Sequence, residues 1–231
     1  MGDSELERTE YVPVVVFRYQ HCTSAGHIFS LSIPAKCASC GQSHQPHEFI
    51  LPPVCVFPPW TTSSRAPGSI VIKPTVGGFL TDYHGLEDLH IGVADSNGYV
   101  THYLQELQQI QVDSAWKDCI AIPIDEQLSN LPLCPGKRDQ EWCRWDNTLA
   151  VFTVSFRQRQ RETRSLDPNC FDFVWGFVSA FWLSVVSDGK DVKERCLSKE
   201  CFTEHFVLPA INKALQFKRM YKAATASTQK K

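Results

Sequence analysis

Residues 88–102 read Asp-Leu-His-Ile-Gly-Val-Ala-Asp-Ser-Asn-Gly-Tyr-Val-Thr-His. Two strand-forming runs, 88–94 and 99–104, flank Ser96-Asn97-Gly98, so the stretch predicts an antiparallel hairpin. The turn decides where the second histidine falls. A two-residue Asn97-Gly98 turn would set His102 opposite Val93, on the wrong face for His90. A three-residue loop with a bulge at Gly98 would set it opposite Gly92, beside His90. Glycine at the last loop position suits the second arrangement.

Working outward, residues 69–74 (SIVIKP) and 119–124 (CIAIPI) read as further strands of the same region. Over 138–158 the period changes. Trp142, Trp145, Leu149, Phe152 and Phe156 fall three and four apart, which predicts an amphipathic helix closed by Arg157, Arg159, Arg161 and Arg164. Asp167-Pro168-Asn169-Cys170 then opens the most apolar stretch of the chain. Asp167 as N-cap and Pro168 as first helical residue predict a helix from 168 to about 186, ending near Gly189. Its apolar residues cover nearly every face, which predicts enclosure on all sides. A last helix over 203–224, interrupted or restarted at Pro209, would turn Phe206, Ile211, Leu215 and Tyr221 inward.

Toward the N-terminus, residues 12–19 (VPVVVFRY) and 27–33 (HIFSLSI) predict a second hairpin across the turn CTSAG. Cys37-Ala38-Ser39-Cys40-Gly41 follows. Six prolines then lie between 41 and 68, and proline removes backbone donors, so this part reads as an irregular connector. The expected organisation is an N-terminal β-hairpin with a Cys-x-x-Cys knuckle (1–45), a proline-rich connector (46–68), an α+β domain (69–224) and a disordered tail (225–231). The expected fold class is α+β, an antiparallel sheet packed on a central cysteine-bearing helix.

The 231 residues are 43% hydrophobic and 21% charged with a formal charge of -2, which suits a globular chain with a real core and gives no overall pull toward nucleic acid. Basic residues gather at the C-terminus, Lys213, Lys218, Arg219, Lys222, Lys230 and Lys231, as expected of a solvated helix face and a frayed end. The opening MGDSELERTE lacks the pattern of a secretory signal, and position 6 is Leu where myristoylation wants Ser or Thr. The longest apolar run, 171–186, is too short to span a bilayer. Ten cysteines without an export signal point to a reducing compartment, cytoplasmic or also nuclear.

Two chemistries follow from the residue types. Cys170 at a helix start would lose its proton more easily than a free thiol, and a histidine on a rigid strand can serve as its base. That reading makes Cys170 the nucleophile, His90 the base and His102 the orienting group, provided Asp167 and Asp172 point away. The bland alternative is a set of ordinary core residues. The second chemistry is metal. Cys37 and Cys40 form a zinc-knuckle shape, and Cys22 can be the third ligand. His21 is taken as the fourth, with His27, His44, His47 and the more distant Cys55 as alternatives. Such a zinc would be structural, and no catalytic cofactor is expected. If a metal is bound, the sulfurs of Cys22, Cys37 and Cys40 should gather. If not, they should scatter and Val14, Val16, Phe29 and Leu31 should be buried on the main sheet.

His90, Gly92 and His102 with Asn169, Cys170, Phe173 and Val174 resemble motifs of the lecithin:retinol acyltransferase and phospholipid acyltransferase group. That resemblance implies a circularly permuted papain-like fold, with Cys170, His90 and His102 in the roles given above. Asp172 departs from the pattern, and so does the absence of an apolar C-terminal anchor. From about 17 to 223 the chain resembles the makorin-2 opposite-strand protein family, on Cys22 with Cys37-x-x-Cys40, DLHIGVADSNGYV, CIAIPI, NCFDFVWGFV and FTEHFVLP. This resemblance implies one folded unit and carries no activity. The expected function is a papain-like thiol hydrolase or acyltransferase acting on a small acyl or peptide substrate. The rival is a non-catalytic interaction protein with a protein partner.

Overall fold

The computed structural model describes residues 14–23, 26–37, 39–45, 48–124, 138–162, 167–186 and 198–228. The expected helix end at Gly189, Arg164, and the alternative ligand His47 lie outside these. The chain forms two compact units, one of residues 1–58 with 216–231 and one of residues 59–215.

The first unit holds a three-stranded antiparallel sheet: β1 (Val16–Gln20), β2 (Ile28–Ser30) and β3 (Leu51–Val56), in the order β2-β1-β3. The β1–β2 hairpin is the one expected. β3 lies inside the segment read as an irregular connector, and it pairs with β1 through Val16↔Val56 and Phe17↔Cys55. One of Pro52 and Pro53 fits because β3 is an edge strand, where a missing donor costs no ladder bond on the solvent side, while alternation turns the other toward β1. The register shifts between Arg18 and Gln20, opposite this proline-bearing end. The apolar strands thus form their own sheet and do not join the main one.

The second unit is built on six antiparallel strands: β4 (Trp60–Thr61), β5 (Ser69–Pro74), β6 (Leu89–Ala94), β7 (Val100–Leu104), β8 (Gln109–Asp113) and β9 (Cys119–Pro123). Their order is β4-β9-β5-β6-β7-β8. β8 was not expected, because its QIQVD has too few strand-formers to stand out. In the β6–β7 hairpin, Gly92 faces His102 and Ala94 faces Val100, which is the register that sets both histidines on one face. The Asp95 carboxylate holds the loop by accepting from the amides of Asn97 (2.8 Å) and Tyr99 (2.9 Å). Gly98 has φ of +82°, and a Cβ there would lie 2.6 Å from Ser64 Cα, so the loop demands glycine twice over.

Two helices cover one face of this sheet: α1 (Arg138–Glu162) and α2 (Cys170–Val186). Phe156 of α1 packs on Tyr103 at 5.5 Å, and the Tyr103 hydroxyl accepts from Gln160. Phe152 and Phe156 meet Phe173, and Trp145 meets Phe177 and Phe181. Burial along α2 falls on Phe173, Val174, Phe177, Val178 and Phe181, a single stripe, while Leu183 is 54% exposed. The expectation of enclosure on every side is therefore corrected: the sheet and α1 use one face only. Burying a phenylalanine here contributes about 1.5–3 kcal/mol.

The opposite face of the sheet carries Val71, Ala94, Val100 and Cys119, sealed by Trp116 from the β8–β9 connection. Ser63 pins that cover by accepting from the Trp116 amide at 3.0 Å and donating to the Gly98 carbonyl at 2.8 Å.

At the C-terminus, α3 (Lys199–Phe202) runs through one wide π-helical turn (Thr203–Val207) into α4 (Leu208–Thr228). Pro209 lacks the N–H that would bond to the His205 carbonyl, and the widened turn directly before it is where the ladder adjusts. The buried positions are Phe202, Val207, Ala214, Phe217, Lys218 and Ala224, so Lys218 is not on the expected solvated face, whereas Phe206, Ile211, Leu215 and Tyr221 are only half-buried. Helix continues to Thr228, past the expected start of the tail. Among the described residues, no helix is long and apolar enough to cross a membrane.

Candidate functional sites

In the first unit, β1 ends at Gln20 and delivers His21 and Cys22 together. The knuckle returns Cys37 and Cys40 beside them: the Gly41 amide donates to the Cys37 carbonyl at 2.9 Å, and the Cys37 amide to that of Gln42 at 2.7 Å. The candidate ligand atoms of His21, Cys22, Cys37 and Cys40 all lie within 4.8 Å of one another. Cys22 Sγ is 4.0 Å from Cys37 Sγ, and Cys40 Sγ is 3.4 Å from His21 Nδ1. A zinc tetrahedron with bonds of ~2.3 Å to sulfur and ~2.0 Å to nitrogen has edges of roughly 3.5–3.8 Å. The cluster has that donor set, and a modest contraction from its 4.8 Å span would bring it to that size.

His21 is buried, and its other nitrogen, Nε2, faces Glu48 Oε2 at 3.9 Å, as an outer carboxylate faces a ligating imidazole. The alternatives separate cleanly. His44 gives Nδ1 to the Pro34 carbonyl at 2.7 Å and packs its ring on His21 at 4.8 Å, so it supports the ligand ring. His27 is exposed in the β1–β2 connection, and Cys55 is exposed on β3. The Cys40 thiol sits above its ordinary range: the Gln42 amide pulls it down, but desolvation and the Cys37 and Cys22 thiols outweigh that amide. Crowded thiols of this kind are relieved by a bound cation, which takes them as thiolates.

In the second unit the two expected histidines meet. His90 Nε2 and His102 Nδ1 are 2.8 Å apart, and His102 Nε2 lies 3.2 Å from Asp113 Oδ2. Trp116 covers both rings, with centroids at 5.4 Å from His90 and 5.1 Å from His102, and donates Nε1–H to Asp113 at 2.7 Å. Lys73, paired across β5 with His90, lies over the Trp116 ring at 4.5 Å. Gly92 makes this possible, since a Cβ there would come within 2.6 Å of Val100 and 3.1 Å of Trp116. Burial, then His102 and Lys73, push His90 down to about 4 against the weaker pull of Asp113. Burial likewise lowers His102, with Asp113 opposing. Both shifts favour the neutral imidazole.

Cys170 is set differently. α2 begins at Cys170, two residues later than expected, because Asn169 is the cap. Asn169 Oδ1 accepts from the Asp172 amide at 2.9 Å, and Asp172 Oδ2 accepts from the Asn169 amide at 3.1 Å, a reciprocal capping box. Asp167, the expected cap, accepts from Gln105 at 3.0 Å instead. Asp172 also pairs with Lys199. The thiol is raised by burial, which outweighs the amides of Ile91, Phe171 and Cys170 itself, and Asp172 adds to the rise. The amides at the helix start do pull the thiol down, as the sequence led one to expect, but burial outweighs them. Among the described residues the Cys170 thiol makes no hydrogen bond to either histidine, and the β6 group that pulls it down is the Ile91 amide. Alternation explains the gap. Tyr103 faces the helices, so its neighbour His102, with His90, faces Trp116 on the other side.

The outer edge of the second unit offers a feature the sequence did not suggest. A cleft of about 690 Å³ is lined by Gln108, Gln109, Ile110, Arg157, Gln160 and Arg161. The run of arginines closing α1 was the available signal, read there only as a helix end.

The model of the family described as DUF4796 C-terminal matches residues 53–224. The human "MKRN2 opposite strand protein" (Homo sapiens) is 28% identical over 209 residues, which is 90% of this chain and 85% of that protein. No solved structure matches. The family match begins within β3 and includes the whole histidine pair and Cys170, while His21, Cys22, Cys37 and Cys40 precede it. The chain belongs to the makorin-2 opposite-strand family, as its motifs indicated.

Proposed function

We propose that this member of the family is a non-catalytic interaction protein whose N-terminal sheet is stapled by a structural zinc ion. The observation that carries the non-catalytic reading is that, among the described residues, the thiol and its expected base share no hydrogen bond. His90 commits Nε2 to His102 beneath Trp116, while the Cys170 thiol takes the Ile91 amide on the helix side. A thiol raised by burial and without a hydrogen bond to an imidazole lacks what activates a nucleophile. The zinc reading rests on the ligand atoms of His21, Cys22, Cys37 and Cys40, gathered within 4.8 Å. With three thiolates and one imidazole, the ion would be structural, and its ligation energy would become folding energy for a unit with little core.

The rival reading is a permuted papain-like thiol hydrolase or acyltransferase, with Cys170 as nucleophile, His90 as base and His102 as orienting group. What supports it is that Cys170 opens α2 and reaches the amide of the residue next to His90. Two measurements separate the readings. Protein purified without chelator should carry about one zinc per chain, lost in Cys37→Ser. At mildly acidic pH, Cys170 should alkylate no faster than a free thiol, and His90→Ala should leave its rate unchanged. A Cys170 that outpaces the other thiols and slows in His90→Ala would establish the enzyme reading instead.

A further inference from the structure

The two sheets have four edge strands, and three are guarded. β2 has three residues and β4 has two, while β3 carries Pro52 and Pro53. Short strands and prolines are the usual means of keeping an edge from pairing with another chain. β8 is different. It runs five residues, contains neither proline nor lysine, and leaves Val112 63% exposed. Its one charged residue, Asp113, is engaged by Trp116. The edge is also oriented for pairing. The Ile110 carbonyl points away from β7 and accepts a long 3.5 Å bond from Arg157. Strand alternation turns the backbone of Val112 the same way.

The charge beside this edge selects the occupant. Arg157 and Arg161 line the cleft with Gln108, Gln109 and Gln160, and among the described residues no carboxylate lines it. A second copy pairing β8 to β8 would bring two such arginine pairs to one seam, so charge opposes self-pairing. An extended peptide with carboxylates on alternate residues meets both needs. Its backbone completes the ladder and its acidic side chains reach the guanidiniums, which bind carboxylates in a forked geometry.

We propose that β8 and the adjoining arginine cleft form a docking site for an acidic, extended peptide segment of a partner protein, which adds a strand to the sheet. The proposal rests on the interaction-protein reading and names its partner class.

The test is a titration of the full chain at low ionic strength against a fluorescein-labelled peptide of alternating Glu and Val, about eight residues long. A second peptide replaces Glu with Lys. The Glu peptide should bind saturably and the Lys peptide should not. Binding should fall about tenfold or more in R157E/R161E, a pair at the cleft whose loss leaves the core intact. It should fall similarly in V112P, which removes an outward donor, and in V112K, which keeps every ladder bond and places a guarding charge on the edge. The proposal is overturned by absence of saturable binding to the Glu peptide, by equal binding of both peptides, or by binding undiminished in R157E/R161E or in V112K. Dimerisation of the free chain that V112K abolishes would assign the edge to a second copy and also overturn it. A reactive Cys170 would sink the interaction reading while leaving the titration to stand. A silent titration with an unreactive Cys170 would sink only the docking site.

Discussion

The two units solve the same problem with different means. The six-stranded sheet buries both faces, one under α1 and α2 and one under Trp116, and its fully buried side chains include Ile70, Val71, Ile72, Tyr103, Phe173 and Phe177. The three-stranded sheet has strands of three to six residues, and its buried side chains near the knuckle are Val16, Tyr19, His21, Ser30 and Cys37. Two of these five are metal-ligating types. The larger unit draws its stability from apolar area. The smaller has too little of that area and places its remaining donors where an ion can hold them. Size decides which currency of stability is available.

The comparison breaks if removing metal leaves the small sheet intact. In the Cys37→Ser/Cys40→Ser double variant, amides of β1, β2 and β3 should exchange within the fastest class, while those of β5 and β6 keep their protection. Apparent binding energies of structural zinc sites, about 10–16 kcal/mol, set the scale of the loss. Hydrogen exchange with mass spectrometry reads both units in one experiment, and simultaneous loss in both would show that the division is false. The converse cut is Phe177→Ala. Phe177 is fully buried between Trp145 and Phe181. Truncation should cost about 3–5 kcal/mol in denaturant unfolding, with zinc content unchanged.

The smallest effect sharpens the comparison through pH. His90 is pushed from 6.5 to about 4 in the fold, and His102 is also lowered. A base whose folded value is depressed is protonated in the unfolded chain first. Stability is therefore complete above about pH 6.5 and falls as pH drops from there toward 4. The groups facing His90 are His102, Lys73, Asp113 and Trp116. In His90→Gln, the decline of Tm across that window should be shallower. Superimposable curves for the two proteins would show that the histidine pair is not where the acid sensitivity lies.

Much of the second unit was legible because its signals are strong and local. Ser96-Asn97-Gly98 settled the register that puts His102 across from Gly92, and the three- and four-residue spacing of Trp145, Leu149, Phe152 and Phe156 settled α1. Cys37-x-x-Cys40 located the cluster, but only the folded chain could choose His21 over His44, since the choice turns on which imidazole the fold sets among the three thiols. β3 was hidden by Pro52 and Pro53, whose meaning depends on edge position, a property of the sheet and not of the segment. The Cys170–His90 reading turns on a property of the same kind. Motif spacing says which residues come near, while strand parity at Ile91 says on which side, and parity is invisible until the helices have chosen a face.

One consequence follows from the route of the chain. The smaller unit takes residues 1–58 and then nothing until 216, so the larger one is inserted within it. During synthesis, the thiols of Cys22, Cys37 and Cys40 leave the ribosome long before the closing stretch of α4 does. A cation captured early would tether the first sheet as a half-finished unit until the stretch from 216 has emerged. The order of manufacture thus runs small, large, small, and a ribosome stalled before 216 would display a finished insert inside an unfinished host.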